Sequence, residues 1–247
     1  MLALGASELF LSSGCAAALK IQGVVRRLPE GALDATHTQR LAYSVMREAQ
    51  IREFESTLEC DLAIALPGLG RFRVNVYRQR GDVAVVVRHI NGKIPSLDQL
   101  KLPPVLRKLA MLKRGLVLVV GAAGSGKSTT LAAMLDHRNH NAAGHILTVE
   151  DPMEFEHAHG TCIVDQREVG LDTQSFDEAL RHAMREAPDV IMIGEIRDRD
   201  TMQHAMAYAE TGHLCVSTLH ANNANQAIQR VLNFFPETAH KQVLMDL

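Results

Sequence analysis

Residues 115–135 read GLVLVVGAAGSGKSTTLAAML: an apolar run, a glycine-rich turn and a helix-forming stretch, in that order. The turn matches the pattern G-x-x-x-x-G-K-[ST], in which glycines let successive backbone amides point at a phosphate group. The helix that follows would add the positive potential of its N-terminus. The sequence therefore predicts an ATP site built from Gly121, Ala122, Ala123, Gly124, Ser125, Gly126, Lys127, Ser128 and Thr129. In this site Lys127 would reach the β and γ phosphates, and the Ser128 hydroxyl would bind Mg²⁺.

Apolar runs alternate with helical stretches from about Gln99 onward, which predicts a mainly parallel sheet with crossover helices. Three of these runs end in side chains that suit hydrolysis. HILTV leads to Glu150, Asp151 and Glu154, DVIMI leads to Gly194-Glu195, and HLCVSTLH carries His213 and His220 at its two ends. The carboxyl ends of such strands face the ligand crevice, where a carboxylate can orient or deprotonate water. The alternative is that these residues are ordinary polar strand ends, or that a histidine contacts a neighbouring subunit.

The segment before about Ile94 reads as mixed α/β. It predicts an early hairpin turning at Gly23 and a helical stretch from Thr38 to Glu59, with Leu41, Val45, Met46 and Ala49 at helical spacing. In RFRVNVYRQR, apolar Phe72, Val74 and Val76 alternate with polar residues, which predicts a half-buried strand with one cationic face. Asn91-Gly92, Pro95 and Pro103-Pro104 bracket a linker. We therefore expect an N-terminal domain over residues 1–95 and a second domain over residues 99–247.

The bulk composition excludes several classes of function. The formal charge of -2 argues against a nucleic-acid partner, whose binders usually carry a basic excess. No run of about 18 apolar residues is present, so we expect no direct membrane span. The four cysteines form no Cys-x-x-Cys pair, which favours reduced thiols. Together these features predict a cytoplasmic protein.

Five ordered blocks extend the pattern over nearly the whole chain: GLGRFRVNVYRQRG, LKRGLVLVVGAAGSGKSTTLAAML, HILTVEDPMEFEH, QREVGLDTQSFDEALRHAMREAPDVIMIGEIRDRDTM and AETGHLCVSTLHANNANQAIQRVLNFFP. They resemble the type IV pilus retraction ATPases of the secretion ATPase superfamily, in particular the PilU type with its PilT-type sibling. The resemblance implies a small PAS-like α/β N-terminal domain followed by a RecA-like P-loop domain with a mainly parallel sheet. It also implies a homo-oligomer, a ring of six, with nucleotide bound between the two domains.

The resemblance further implies roles for individual residues. Glu154 takes the position of the catalytic glutamate, Glu195 that of an atypical Walker B acid, and His213 and His220 those of a paired-histidine box. Mg²⁺ would be bound by Ser128, Glu150 and Glu195. Arginines of the N-terminal domain would complete the site, and the candidates are Arg71, Arg73 and Arg88, with Arg78 and Arg80.

The function implied by the resemblance is ATP hydrolysis that drives pilus retraction and twitching motility. The expected partners are a PilT-type ATPase and a pilus platform protein in the inner membrane, which would place the protein peripherally at that membrane. Two alternatives stay open: an accessory nucleotide-binding partner with little turnover, or an ATPase of pilus extension or type II secretion. The sequence departs from the family pattern at Gly14–Lys20, which lacks prolines, and it ends at Leu247 where the family continues. We therefore expect a shortened chain.

Overall fold

The computed structural model describes residues 1–90 and 92–247, and the chain divides into two compact units, residues 1–91 and Gly92–Leu247. Asn91, one of the residues expected to bracket the linker, lies outside the described residues. The strands of the first unit are β1 Ala6–Ser12, β2 Ala18–Ile21, β3 Val24–Arg27, β4 Glu59–Leu66, β5 Gly70–Gln79 and β6 Asp82–Ile90, and its helices are α1 Ala35–Ser44 and α2 Glu48–Thr57. The strands of the second unit are β7 Gly115–Val120, β8 Gly144–Glu150, β9 Cys162–Glu168, β10 Val190–Ile193 and β11 Leu214–Leu219. Its helices are α3 Val105–Ala110, α4 Lys127–Asn141, α5 Phe176–Ala183, α6 Arg199–Glu210, α7 Ala224–Asn233 and α8 His240–Asp246.

The first unit is an antiparallel sheet in the order β3-β2-β1-β6-β5-β4. The early hairpin is confirmed, since β2 and β3 pair around Gly23. The alternation in β5 is also confirmed, because Phe72, Val74 and Val76 are buried while Arg71 and Arg73 are partly exposed. A side-chain period of two gives this sheet one face for the core and one polar face.

The stretch from Thr38 to Glu59 is helical as expected, but two helices share it, α1 and α2. Helix α1 ends at Ser44. Helix α2 then begins with a cap, in which the Gln50 side chain accepts a hydrogen bond of 2.9 Å from the backbone N–H of Arg47. The buried residues of α1 are Thr38 and Ala42, whereas Leu41 is 41% exposed. The apolar spacing therefore pointed to the wrong face of this helix.

The second unit contains a parallel sheet in the order β7-β11-β10-β8-β9, which confirms the expected α/β architecture. Ile146 and Met192 pack with α4 on one face of the sheet, and Leu147 and Ile191 pack with α5 and α6 on the other. Strand β9 was not predicted, because its residues CIVDQRE alternate in polarity as an edge strand rather than forming an apolar run.

The topology brings four chain segments to one edge of this sheet. Because the strands are parallel, the residues after β7, β8, β10 and β11 all emerge at the same side. These residues are the glycine-rich loop, Asp151, Gly194 and His220. None of the helices in the described part of the chain has the length and apolar character of a membrane span.

Candidate functional site: a phosphate loop facing three strand ends

The glycine-rich loop joins β7 directly to α4. Gly124 and Gly126 have φ angles of 73° and 89°, a region that residues with a side chain rarely adopt, so glycine is required at both. Helix α4 begins at Lys127, and the first amides of a helix have no partner within it. These amides and the helix dipole make the loop an anion-binding site. The Lys127 ammonium donates hydrogen bonds to the carbonyls of Gly121 and Ala122, at 3.0 and 2.9 Å, and so lies over the loop.

A cavity of about 360 Å³ opens above this loop. On one side it is lined by Lys127, Ser128 and Thr129 from the loop and the first turn of α4. On the other side lie predicted residues at the ends of three strands or shortly after them, namely Glu150, Glu154, Glu195 and His220. The structure therefore brings together the glycine-rich loop and four side chains that were predicted from three separate stretches of sequence.

Glu195 is held between two basic side chains. One carboxylate oxygen lies 3.0 Å from Nε2 of His220, and the other accepts a hydrogen bond of 2.8 Å from Nε of Arg197. The guanidinium of Arg197 also lies 3.6 Å from Asp151. Because of these contacts, the pKa of Arg197 is raised, first by its hydrogen bond to Glu195. One network thus crosses the ends of β8, β10 and β11. Sequence reasoning missed Arg197, although its place two residues after the strand-end acid was a usable signal.

Glu150 differs from the other acids because it is only 6% exposed. Burial raises its pKa to about 7, although the hydroxyl of Thr148 and the amide of Gln166 donate to one of its oxygens at 2.8 and 3.2 Å. A buried carboxyl group of this kind exchanges protons near neutral pH. Glu154, by contrast, is exposed at the cavity wall, where it has direct access to water.

Gly194 allows the ends of β8 and β10 to approach each other. A Cβ atom at this position would lie 3.2 Å from the Cα atom of Glu150 and 3.4 Å from the carbonyl oxygen of Val149. Thr218 on β11 lines the same cavity and donates a 2.7 Å hydrogen bond to the carbonyl of Gly194. The floor of the site is therefore closely packed backbone.

His213 is not part of this constellation. It precedes β11, whereas His220 follows it, and a rise of about 3.3 Å per residue separates the two by about 23 Å. His213 instead lines a second cavity with Lys113 and Arg138, and its Nδ1 lies 3.2 Å from the Thr211 hydroxyl. Within this unit the two histidines therefore do not line one cavity, because they lie at opposite ends of strand β11.

The candidate arginines belong to the first unit. Arg88 lies 3.1 Å from Glu8, and Arg78 forms an ion pair of 2.9 Å with Glu55. Arg73 is the register partner of Arg88 across β5 and β6, and Arg71 lies two residues before it on the same face. Their approach to a nucleotide stays a prediction.

The donor set fits a magnesium ion that is shared with a nucleotide. Among the described residues, no group of three or more His, Cys, Asp or Glu side chains could hold a metal by itself. Magnesium needs no such cage, because it keeps several waters and usually takes one or two protein oxygens together with phosphate oxygens. The Ser128 hydroxyl, with Glu150 and Glu195 in the same cavity, offers oxygens of this type.

Comparison with known proteins agrees with this geometry. A family model described as type II/IV secretion system protein matches residues 13–242. The chain is 54% identical over 98% of its length to the type IV pilus ATPase PilU of Pseudomonas aeruginosa, covering 64% of that protein. It is 46% identical over 94% of its length to the type IV pilus retraction ATPase PilT of the same organism, covering 67% of it. The chain therefore spans about two thirds of the length of these relatives.

A solved structure gives the same result. The crystal structure of the pilus retraction motor PilT with bound ADP superposes with a TM-score of 0.94 at 44% identity, and it covers all of this chain and 72% of that one. A likeness of this extent also confirms the expected fold, with an antiparallel N-terminal domain and a RecA-like parallel-sheet domain. The chain accordingly belongs to the type II/IV secretion system protein family.

Proposed function

We propose that the chain is the ATP-hydrolysing core of a type IV pilus motor that drives pilus retraction and twitching motility. The observation that carries the proposal is the cavity in which the loop of Lys127 and Ser128 faces Glu154, Glu195 and His220. The assignment to the type IV pilus rests on the names of its relatives, a type IV pilus ATPase and a type IV pilus retraction ATPase.

The side chains divide the work of hydrolysis between them. Lys127 and the amides of the loop would bind the β and γ phosphates, and Thr129 and Ser128 would complete the cradle. Exposed Glu154 would accept a proton from the attacking water, whose oxygen bonds to the γ phosphorus as ADP leaves. Mg²⁺, bound with the Ser128 hydroxyl and with Glu150 or Glu195 close by, would neutralise phosphate charge. His220 and Glu195 together would contact the γ-phosphate end of the site.

Arginines of the first unit would supply the remaining positive charge. Arg71, Arg73 and Arg88 share the polar face of one sheet, and arginine is suited to stabilising the charge that develops on a transferred phosphoryl group. A nucleotide bound by two domains favours a different interdomain arrangement before and after hydrolysis, which is a physical route to mechanical work. We propose a hexameric ring in which this motion acts on a pilus platform protein at the inner membrane, together with a PilT-type ATPase.

Substitution of the loop lysine tests the enzymatic part of the proposal. We expect Lys127→Ala to abolish phosphate release from ATP, while Lys241→Ala, an exposed lysine in α8, leaves the rate unchanged. Turnover by Lys127→Ala at the rate of the unsubstituted chain would contradict the proposal. If the unsubstituted chain binds ATP without turnover, the accessory role replaces the motor role.

Deletion of the gene tests the cellular part. We expect cells that still assemble surface pili but no longer move by twitching. Loss of the pili themselves would instead indicate a pilus-extension ATPase.

A further inference from the structure

Arg197 is not one of the site residues that the sequence pattern predicts. It follows β10 by four residues, in the loop that leads to α6, and its side chain is 56% exposed. Its guanidinium nevertheless points back into the cavity wall, where Nε donates to Glu195 and Nη1 faces Asp151. The side chain thereby links the end of β8 to the end of β10.

The Glu195 carboxylate is held at both of its oxygens. Its carboxylate is only 18% exposed and has a basic group at each oxygen, His220 on one side and Arg197 on the other. A carboxylate with one partner can turn about its last bond, whereas one held at both oxygens keeps a fixed plane. The orientation in which Glu195 meets His220 is therefore set from the far side by Arg197.

We propose that Arg197 is a positioning residue for hydrolysis, which holds Glu195 in the plane that engages His220 and ties both to Asp151 at the next strand end. This proposal rests on the ATPase function proposed above. Arg197 acts through Glu195, so its loss should affect turnover far more than nucleotide affinity.

An exposed ion pair without this role would behave differently. Exposed pairs contribute little to stability, and their loss seldom changes a reaction. A positioning residue, in contrast, affects the chemical step, because a reacting group displaced by about 1 Å can slow a reaction by about a hundredfold. The two roles are separated by kinetics rather than by stability.

The experiment compares Arg197→Gln and Arg197→Lys with Arg199→Gln, an exposed arginine two residues further on whose guanidinium lies over Phe235. Steady-state ATP turnover gives kcat and KM, and titration with ATP and Mg²⁺ gives the dissociation constant. We expect Arg197→Gln to lower kcat by about tenfold or more with the dissociation constant unchanged within about twofold. Arg197→Lys restores part of kcat, and Arg199→Gln behaves as the unsubstituted chain. An unchanged kcat in Arg197→Gln, or a loss of affinity equal to the loss of kcat, overturns the proposal.

A double substitution shows whether Arg197 acts through Glu195. In a Glu195→Gln background, we expect Arg197→Gln to have little further effect, since coupled residues are not additive. Full additivity overturns the proposal.

A spectroscopic readout keeps the proposal testable even if the chain shows no turnover. The imidazole proton resonance of His220, assigned by its absence in His220→Gln, should shift in Arg197→Gln and stay in place in Arg199→Gln. Absence of turnover in the unsubstituted chain would count against the proposed function alone. An unmoved His220 resonance in Arg197→Gln would count against the positioning role alone.

Discussion

Nε2 of His220 lies 3.0 Å from a carboxylate oxygen of Glu195, although the two residues follow different strands of the parallel sheet. Both side chains line the cavity above the phosphate loop. His220 also borders the adjoining groove beside Gly121 and Ala122, next to the start of the loop. The pair therefore connects the strand ends to the side of the loop where the terminal phosphate is expected.

His220 should matter far more for turnover than His213. We expect His220→Gln to lower kcat by about tenfold or more, because it removes one of the two basic partners of Glu195, the one at the reacting end of the nucleotide. His213→Gln should lower kcat much less, because His213 lies at the other edge of the sheet. The measurement is steady-state phosphate release by the two variants at saturating ATP. An equal loss in both would show that the paired histidines act together, for example across a subunit boundary.

The close approach at Gly194 predicts a cost for any side chain there. In Gly194→Ala, the new methyl group would meet the backbone of Glu150 and Val149, which cannot rotate away as a side chain can. We expect a loss of about 1–3 kcal/mol in the free energy of unfolding, as for other overpacked sites. Urea denaturation measures the loss, and Gly92→Ala, whose new Cβ would meet nothing within 4 Å, is the control. Equal stability of the two variants would contradict the packing argument.

The phosphate loop could be predicted because its signal is local. Strand, turn and first helical turn are consecutive in the chain, and the glycines of the loop are required by its backbone angles. The alternating polarity of β5 was equally readable, since each residue faces the opposite side from the one before.

The environments of the acids could not be predicted, because they depend on distant residues. Glu150 and Glu154 look alike in the sequence, yet Glu150 is buried and bonded to Gln166 on β9, the strand that was missed. The placement of His213 and His220 at opposite ends of one strand was readable from the sequence, since they flank an apolar run of six residues. A shared role for the two histidines stays a prediction.

A charged row across the first unit predicts a specific role for Glu8. Lys20, Glu8, Arg88 and Arg73 are register partners on four neighbouring strands, and Glu8 is the acid among three bases. Burial raises the pKa of Glu8, but the hydrogen bond from the Ser7 hydroxyl and the charges of Lys20 and Arg88 together lower it by more. The pKa of Glu8 therefore lies below its ordinary value. The stabilisation by this acid is therefore present above pH 4.5 and lost as the pH falls through its lowered pKa.

We expect Glu8→Gln to lower the free energy of unfolding by about 1–2 kcal/mol at pH 7, because it leaves the flanking bases without their acid. As the pH falls through the lowered pKa of Glu8, the difference from the unsubstituted chain should shrink, since the carboxylate itself becomes protonated. Denaturant unfolding at pH 7 and at a series of acidic pH values checks this, with Glu30→Gln at an exposed position as the control. A difference that does not change with pH would contradict the ionic role.

Glu150 predicts the opposite dependence on pH. Burial raises its pKa from 4.5 to about 7, so the folded chain holds a proton that the unfolded chain has already lost between these values. The stability associated with this group is therefore fully present below pH 4.5 and decreases as the pH rises through about 7. Glu150→Gln removes the ionisation but keeps an oxygen that can accept from Thr148 and Gln166. In the absence of nucleotide, the free energy of unfolding of the variant minus that of the unsubstituted chain should increase between pH 5 and pH 8, by on the order of 3 kcal/mol. Denaturant unfolding of both chains at both pH values measures this increase. The other titrating groups are the same in the two chains, so they cancel in the difference. A constant difference would show that Glu150 ionises in the folded chain as readily as in water.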